Sequence, residues 1–158
     1  MHKLLQVPDQ YNPTSPGLSP HAQRLLHLSS LFALGVVDDE GRPWTTLFGG
    51  EQGFARSIDH SIIGMAALSN VRYDPVVQTI LDGSIGDPRT ARDFSALGVH
   101  LASRDRVKLQ GKVLGAGVTD SAEDDNPDQP AFGEVQLALA ILGSLGRLKT
   151  CFYGSKEL

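Results

Sequence analysis

The chain alternates short apolar runs with breaks rich in Gly, Pro and Asp. After Ser19-Pro20, an N-cap followed by proline at the first helical position, Ala22, Leu25, Leu26 and Leu28 fall on one face and predict a short helix ending near Leu28. Leu31 to Val37 is apolar on both parities, the pattern of a strand covered on both faces. Asp38-Asp39-Glu40-Gly41 reads as a turn, and Pro43 stands at the edge of a second strand, Trp44 to Phe48, so the two form a hairpin. A Gly-rich connection from Gly49 to Gly53 leads to a third strand, His60 to Ala66. Asp74-Pro75 repeats the cap-plus-proline signature before the stripe Val76, Val77, Ile80 and Leu81, and Gly83 stops that helix. Phe94 to Leu101 and Arg106 to Leu114 predict two further strands. Gly115 to Gln129 reads as a loop carrying Asp120, Glu123, Asp124, Asp125 and Asp128, and Gly133 to Leu142 fits either a strand or a helix.

These elements predict a mainly β (α+β) domain: a six-stranded antiparallel split β-barrel with two or more short helices. Residues 1–18 read as a polar, Pro-rich lead-in, 19–146 as the domain and 147–158 as a divergent tail. A length of 158 residues suits one domain with a real core. The net charge of −4 argues against a dedicated nucleic-acid binder, and the single cysteine, Cys151, leaves no disulfide framework and no Cys-rich zinc site. The apolar stretch Val135 to Leu145 is interrupted by Gln136 and Ser144 and is too short to span a bilayer. The expectation is a cytoplasmic protein with no membrane and no nucleic-acid partner.

Dinucleotide, P-loop and nucleophile-elbow motifs are incomplete: Gly115-Ala-Gly117 lacks a third glycine, and Gly111-Lys112 lacks both an upstream glycine and a following Ser or Thr. The five histidines show no metal-ligand spacing, so no metal site is expected. Two segments carry candidate chemistry. In Arg104-Asp-Arg106-Val-Lys108-Leu-Gln-Gly111, strand alternation places Arg104, Arg106 and Lys108 on one face, where guanidinium forks and an ammonium match a phosphate; a solvated strand face is the plain alternative. In Arg42-Pro-Trp44-Thr45-Thr46-Leu47-Phe48, hydroxyls can bond a phosphate or ring carbonyl and Trp44 can stack on a flat ligand; an ordinary half-buried strand is the alternative.

The order of these segments, with Gly49-Gly50 leading to Gly53-Phe54, resembles the pyridoxamine 5′-phosphate oxidase-like FMN-binding split-barrel family over roughly residues 18–145. The resemblance implies a homodimer with FMN between subunits, the strand Trp44 to Phe48 lining the flavin, and the basic strand near its phosphate. Arg42, Trp44, Thr45, Thr46, Leu47, Arg104, Arg106 and Lys108 are the implied cofactor residues. It further implies hydride or electron transfer through the flavin, with a nicotinamide nucleotide or small molecule as partner and no assigned catalytic side chain. The chain lacks the family's Gly-Asn-Cys-Pro-Lys-Tyr pattern near Ser144 to Tyr153 and the Leu-Ala-Pro ending of true pyridoxamine phosphate oxidases. A non-catalytic flavin- or haem-binding module, or a truncated fragment of a flavin reductase, are the alternative readings.

Overall fold

The computed structural model describes residues 14–83, 91–120 and 131–146. Helix α1 spans Pro20–Leu28, and Ser19 caps it by accepting from the Ala22 N–H; helix α2 spans Pro75–Leu81 with Asp74 as its cap. The strands are β1 (Leu31–Val37), β2 (Pro43–Gly49), β3 (Ala55–Ser57), β4 (Ile62–Asn70), β5 (Asp93–His100), β6 (Asp105–Asp120) and β7 (Phe132–Gly146). They form one antiparallel sheet in the order β2-β1-β5-β6-β7-β4-β3.

The fold is the mainly β split barrel that the sequence predicts, with seven strands rather than six. The extra strand, β3, lies just beyond the Gly-rich connection and pairs with β4 over only three residues. Three other boundaries move. The third predicted strand is β4, shifted to 62–70; residues 115–120 continue β6 instead of opening a loop; and the ambiguous segment is the strand β7. Pairing with β7 holds the glycine-containing stretch 115–117 in the sheet. The acidic loop beyond Asp120, the tail 147–158 with Cys151, and residues 1–13 of the lead-in lie outside the described residues. Residues 14–18 belong to the fold: Ser15 bridges Ser144 through both backbone hydrogen bonds, Ser144 Oγ donates to the Gly17 carbonyl, and Leu18 is buried.

Alternate residues of every long strand point inward. Phe32, Leu34 and Val36 meet Phe48, Ile63, Met65, Val107, Leu109, Val135, Leu137 and Leu139, and the helices add Leu25, Leu26, Val76 and Ile80 to the same core. The two edge strands, β2 and β3, do not pair with one another, so no backbone ladder closes the sheet. One side chain bridges the opening by hydrogen bonds, beside the core packing of Phe48. Asp74 Oδ1 accepts from the Val76 and Val77 N–H groups, which caps α2; its Oδ2 accepts from Thr46 Oγ1 on β2 at 2.7 Å and Ser69 Oγ on β4 at 2.9 Å. One carboxylate thereby links β2, β4 and α2 across the split.

Replacing Asp74 with Ala removes a cap and both cross-split hydrogen bonds, and should lower stability by about 2–4 kcal/mol. Thr46→Val removes one arm of the link and should cost about 1 kcal/mol. Urea unfolding of both variants checks the ranking; no loss in Thr46→Val beside a full loss in Asp74→Ala would mean that the cap alone matters.

Candidate functional site

Register decides which predicted residues share a face. Gly35 pairs with Thr45 on one side and Ser95 on the other, Ser95 pairs with Gln110, and Gln110 pairs with Gly143. These five residues form a row across the outer face of β2, β1, β5, β6 and β7. With strands about 4.8 Å apart, the row is roughly 19 Å long. Beside it runs a second row: Leu47, Ala33, Leu97, Lys108 and Leu145. A third carries Gly49, Leu31, Val99 and Arg106.

The first two rows enclose a groove of about 380 Å³, whose lining includes Ala33, Gly35, Thr45, Ser95, Leu97 and Lys108. Gly35 makes its floor. A Cβ there would stand 3.2 Å from Ser95 Oγ and 3.3 Å from Thr45 Oγ1, so the missing side chain leaves a notch between two hydroxyls. This also corrects the expectation that β1 is covered on both faces. Its inner face is buried, while the outer face is only half covered and ends in an exposed Val37. The outer residues are apolar because two of them, Ala33 and Gly35, keep the groove floor low.

Three cations of β6 point to this outer face. Lys112 is occupied: its Nζ lies 2.9 Å from Asp93 Oδ1 and donates to the Ala91 carbonyl. Arg106 and Lys108 are exposed, and neither forms an ion pair among the described residues. Lys108 lines the groove, and Arg106 lies one strand repeat, about 7 Å, beyond it.

The structure thus brings Thr45, Leu47, Arg106 and Lys108 onto one face and sends the other four predicted residues elsewhere. Thr46 faces the split and bonds Asp74. Arg104 is not in the strand. It sits in the turn before β6 with φ at 59°, so it does not share the alternation of Arg106 and Lys108. Arg42 and Trp44 converge on Asp38, whose carboxylate is only 13% exposed. Asp38 Oδ2 accepts from Trp44 Nε1 at 2.9 Å and Arg42 Nε at 2.7 Å, and Oδ1 accepts from the Glu40 and Arg42 backbone N–H groups. The Arg42 guanidinium also lies 5.9 Å from the Trp44 ring centre. This knot fixes the β1–β2 hairpin. The indole N–H, then the Arg42 amide, the Arg42 side chain and the Glu40 amide hold the Asp38 carboxyl well below its ordinary value. Ser95, Gln110 and Gly35 are the groove residues that strand-by-strand reading misses, because only the pairing of β1 with β5 and β5 with β6 brings them beside Thr45 and Lys108.

A larger concavity of about 690 Å³ lies on the other arm of the sheet, where Gly64, Gly115, Gly117 and Ala138 make a floor of small residues beside Phe54 and Arg56. Its lining has one cation, as the groove at Lys108 does, but no flanking pair of hydroxyls, so it offers fewer polar groups to a ligand. Among the described residues, no helix is long and apolar enough to cross a membrane.

No family model matches the chain, and no curated protein matches it. Solved structures with a similar chain path include a candidate pyridoxamine 5′-phosphate oxidase from Lactobacillus delbrueckii, at 16% identity over 83% of this chain and 95% of that one, with a TM-score of 0.49. A pyridoxamine 5′-phosphate oxidase-related, FMN-binding protein from Nostoc punctiforme aligns at 12% identity over 74% and 75%, with a TM-score of 0.40. A protein of the pyridoxinephosphate oxidase family from Clostridium acetobutylicum aligns at 10% identity over 82% and 87%, with a TM-score of 0.44.

Two expectations follow from the hairpin knot and the turn. A carboxyl with a depressed pKa contributes stability above its unfolded value, and that contribution fades as pH falls toward its folded one. Asp38→Asn should therefore be less stable than the parent at pH 7, with the gap narrowing below about pH 4. Trp44, the only tryptophan, reports the unfolding of both proteins by its emission. Arg104→Gly relieves a left-handed backbone and should raise the urea midpoint by the equivalent of about 0.5–1 kcal/mol; a lowered midpoint would show that the Arg104 side chain holds the turn.

Proposed function

We propose that the protein is a flavoprotein that holds FMN in the outer-face groove between β2 and β6. The observation that carries this reading is the conjunction of Lys108 and Arg106, neither in an ion pair among the described residues, with a glycine notch set between the hydroxyls of Thr45 and Ser95. Two cations without a carboxylate among the described residues, while Lys112 on the same face has one, favour an anionic ligand. The notch suits a flat ring lying against backbone, and the volume falls within the range of about 300–1,000 Å³ that small-molecule sites occupy.

In this reading Gly35 and Ala33 support the ring face. Thr45 and Ser95 offer hydroxyls to its polar edge. Lys108 neutralises the phosphate, and Arg106, one repeat along β6, adds to the positive field of this face. Bound flavin supplies a two-electron redox centre, and the chain's part is to bind and orient it. The resemblance noted from the sequence supports hydride or electron transfer with a nicotinamide nucleotide or small molecule. Exposed Val37 and Leu47 on the groove face favour a second copy covering the ligand. A second reading, a flavin-binding module without turnover, is favoured by one observation: among the described residues, Lys108 is the only titratable side chain that lines the groove.

Titration with FMN under flavin-fluorescence detection tests the proposal. Saturable quenching is expected, with the affinity reduced roughly tenfold or more in Lys108→Met, the loss of one charge-assisted hydrogen bond. No quenching, or quenching indifferent to Lys108, would sink it. Bleaching of the bound flavin by NADH or NADPH would select the enzyme over the module.

A further inference from the structure

The groove does not stop at β6. A second cavity of about 210 Å³ continues from it past β7, lined by Thr14, Lys108, Leu109, Gln110, Gly143, Ser144 and Leu145. The two cavities share Lys108, Leu109 and Gln110, so they are neighbours joined at those residues. Thr14, in the segment before α1, forms one side of the smaller one. The Ser15–Ser144 backbone bridge and the bond from Ser144 Oγ to Gly17 fasten that segment to β7, and this holds Thr14 over the end of the groove. Gly143 keeps the space open: a Cβ there would lie 3.1 Å from Gln110 Nε2 and 3.3 Å from Thr14 Cγ2.

The two compartments differ in chemistry. The larger has an aliphatic floor with hydroxyls at its edge. In the smaller, an amide, a hydroxyl and the Lys108 ammonium meet around a glycine. We infer that the smaller compartment is the seat of the ligand's phosphate ester, with Thr14 and Gln110 as binding residues and residues 15–17 as the anchor that holds Thr14 at the site. This rests on the flavin reading above and adds to it a direction: the ring lies toward Thr45 and the phosphate tail passes Lys108 toward Thr14. Residues of the lead-in thereby become part of the binding machinery.

Charge placed at position 14 tests the direction, because Thr14 is exposed. FMN and riboflavin differ only by the phosphate. Thr14→Glu should weaken FMN binding by about tenfold through like-charge repulsion and leave riboflavin within about twofold; Thr14→Lys should tighten FMN and again spare riboflavin. Fluorescence titration of both ligands against full-length wild type and both variants gives the readout. If FMN and riboflavin shift together, or if neither responds to either charge, the phosphate does not sit at Thr14 and the inference fails while flavin binding stands. If the wild type binds neither ligand, the flavin reading itself falls, and this one with it.

Discussion

The sheet is open, and everything built on its outer face depends on how the opening is held. Seven strands curl around one core, but β2 and β3 leave their outer edges unpaired. The link is Asp74. Its position is set by a local rule, since a helix that begins with Pro75 leaves N–H groups that a preceding carboxylate satisfies. Capping engages Oδ1, and Oδ2 remains free to take hydroxyls from β2 and β4 at once. A neutral cap would have less to offer, because hydrogen bonds to an ionised acceptor are the stronger kind. The same contact tethers β2, already paired with β1, to β4, and β2 carries Thr45 on its other face.

Local signals were the most legible. Both caps, both prolines and the hairpin turn follow from a few adjacent residues, and all appear where the sequence places them. What depended on distant pairing was harder to read. Strand β3 is three residues long and exists because β4 lies beside it. Residues 115–117 look like a loop by composition and are a strand because β7 supplies partners. The site shows the same division. Period-two alternation separates Thr45 and Leu47 from Trp44 and Thr46, and it keeps Arg106 with Lys108. It cannot say which parity of β2 faces the same way as which parity of β6. That follows only from the chain of registers through β1 and β5. Arg104 falls out of the cationic row because a positive φ turns the backbone before the strand begins.

Trp44 and Thr46 show how residues of one strand divide between stability and binding. Both are polar-capable side chains on a strand that lines a groove, and both point to the opposite side, where Asp38 and Asp74 receive their donors. Their donors are satisfied within the fold, so neither is available to a ligand in the groove. The groove is left to residues with few internal partners: Thr45, Ser95, Lys108 and Arg106.

Gly111 connects the two themes. It closes the basic segment that stands out in the sequence, and a side chain there would collide with the Ala140 carbonyl and crowd Phe94. The close approach coincides with a bulge: Gln110 pairs with Gly143, the next residue pairs with Ile141, and Leu142 is the extra residue, pushed out to solvent. Bulges bend and twist the strand that carries them, and so re-aim neighbouring side chains. Here the neighbours are Gln110 and Gly143, the pair at which the groove passes from its wide compartment into its narrow one. The glycine is therefore required by backbone packing, and the shape of the groove follows from that requirement. A larger residue at 111 would disturb the fold and the site through one contact, which is why the motif's last position, chemically silent in itself, belongs with the cations that precede it.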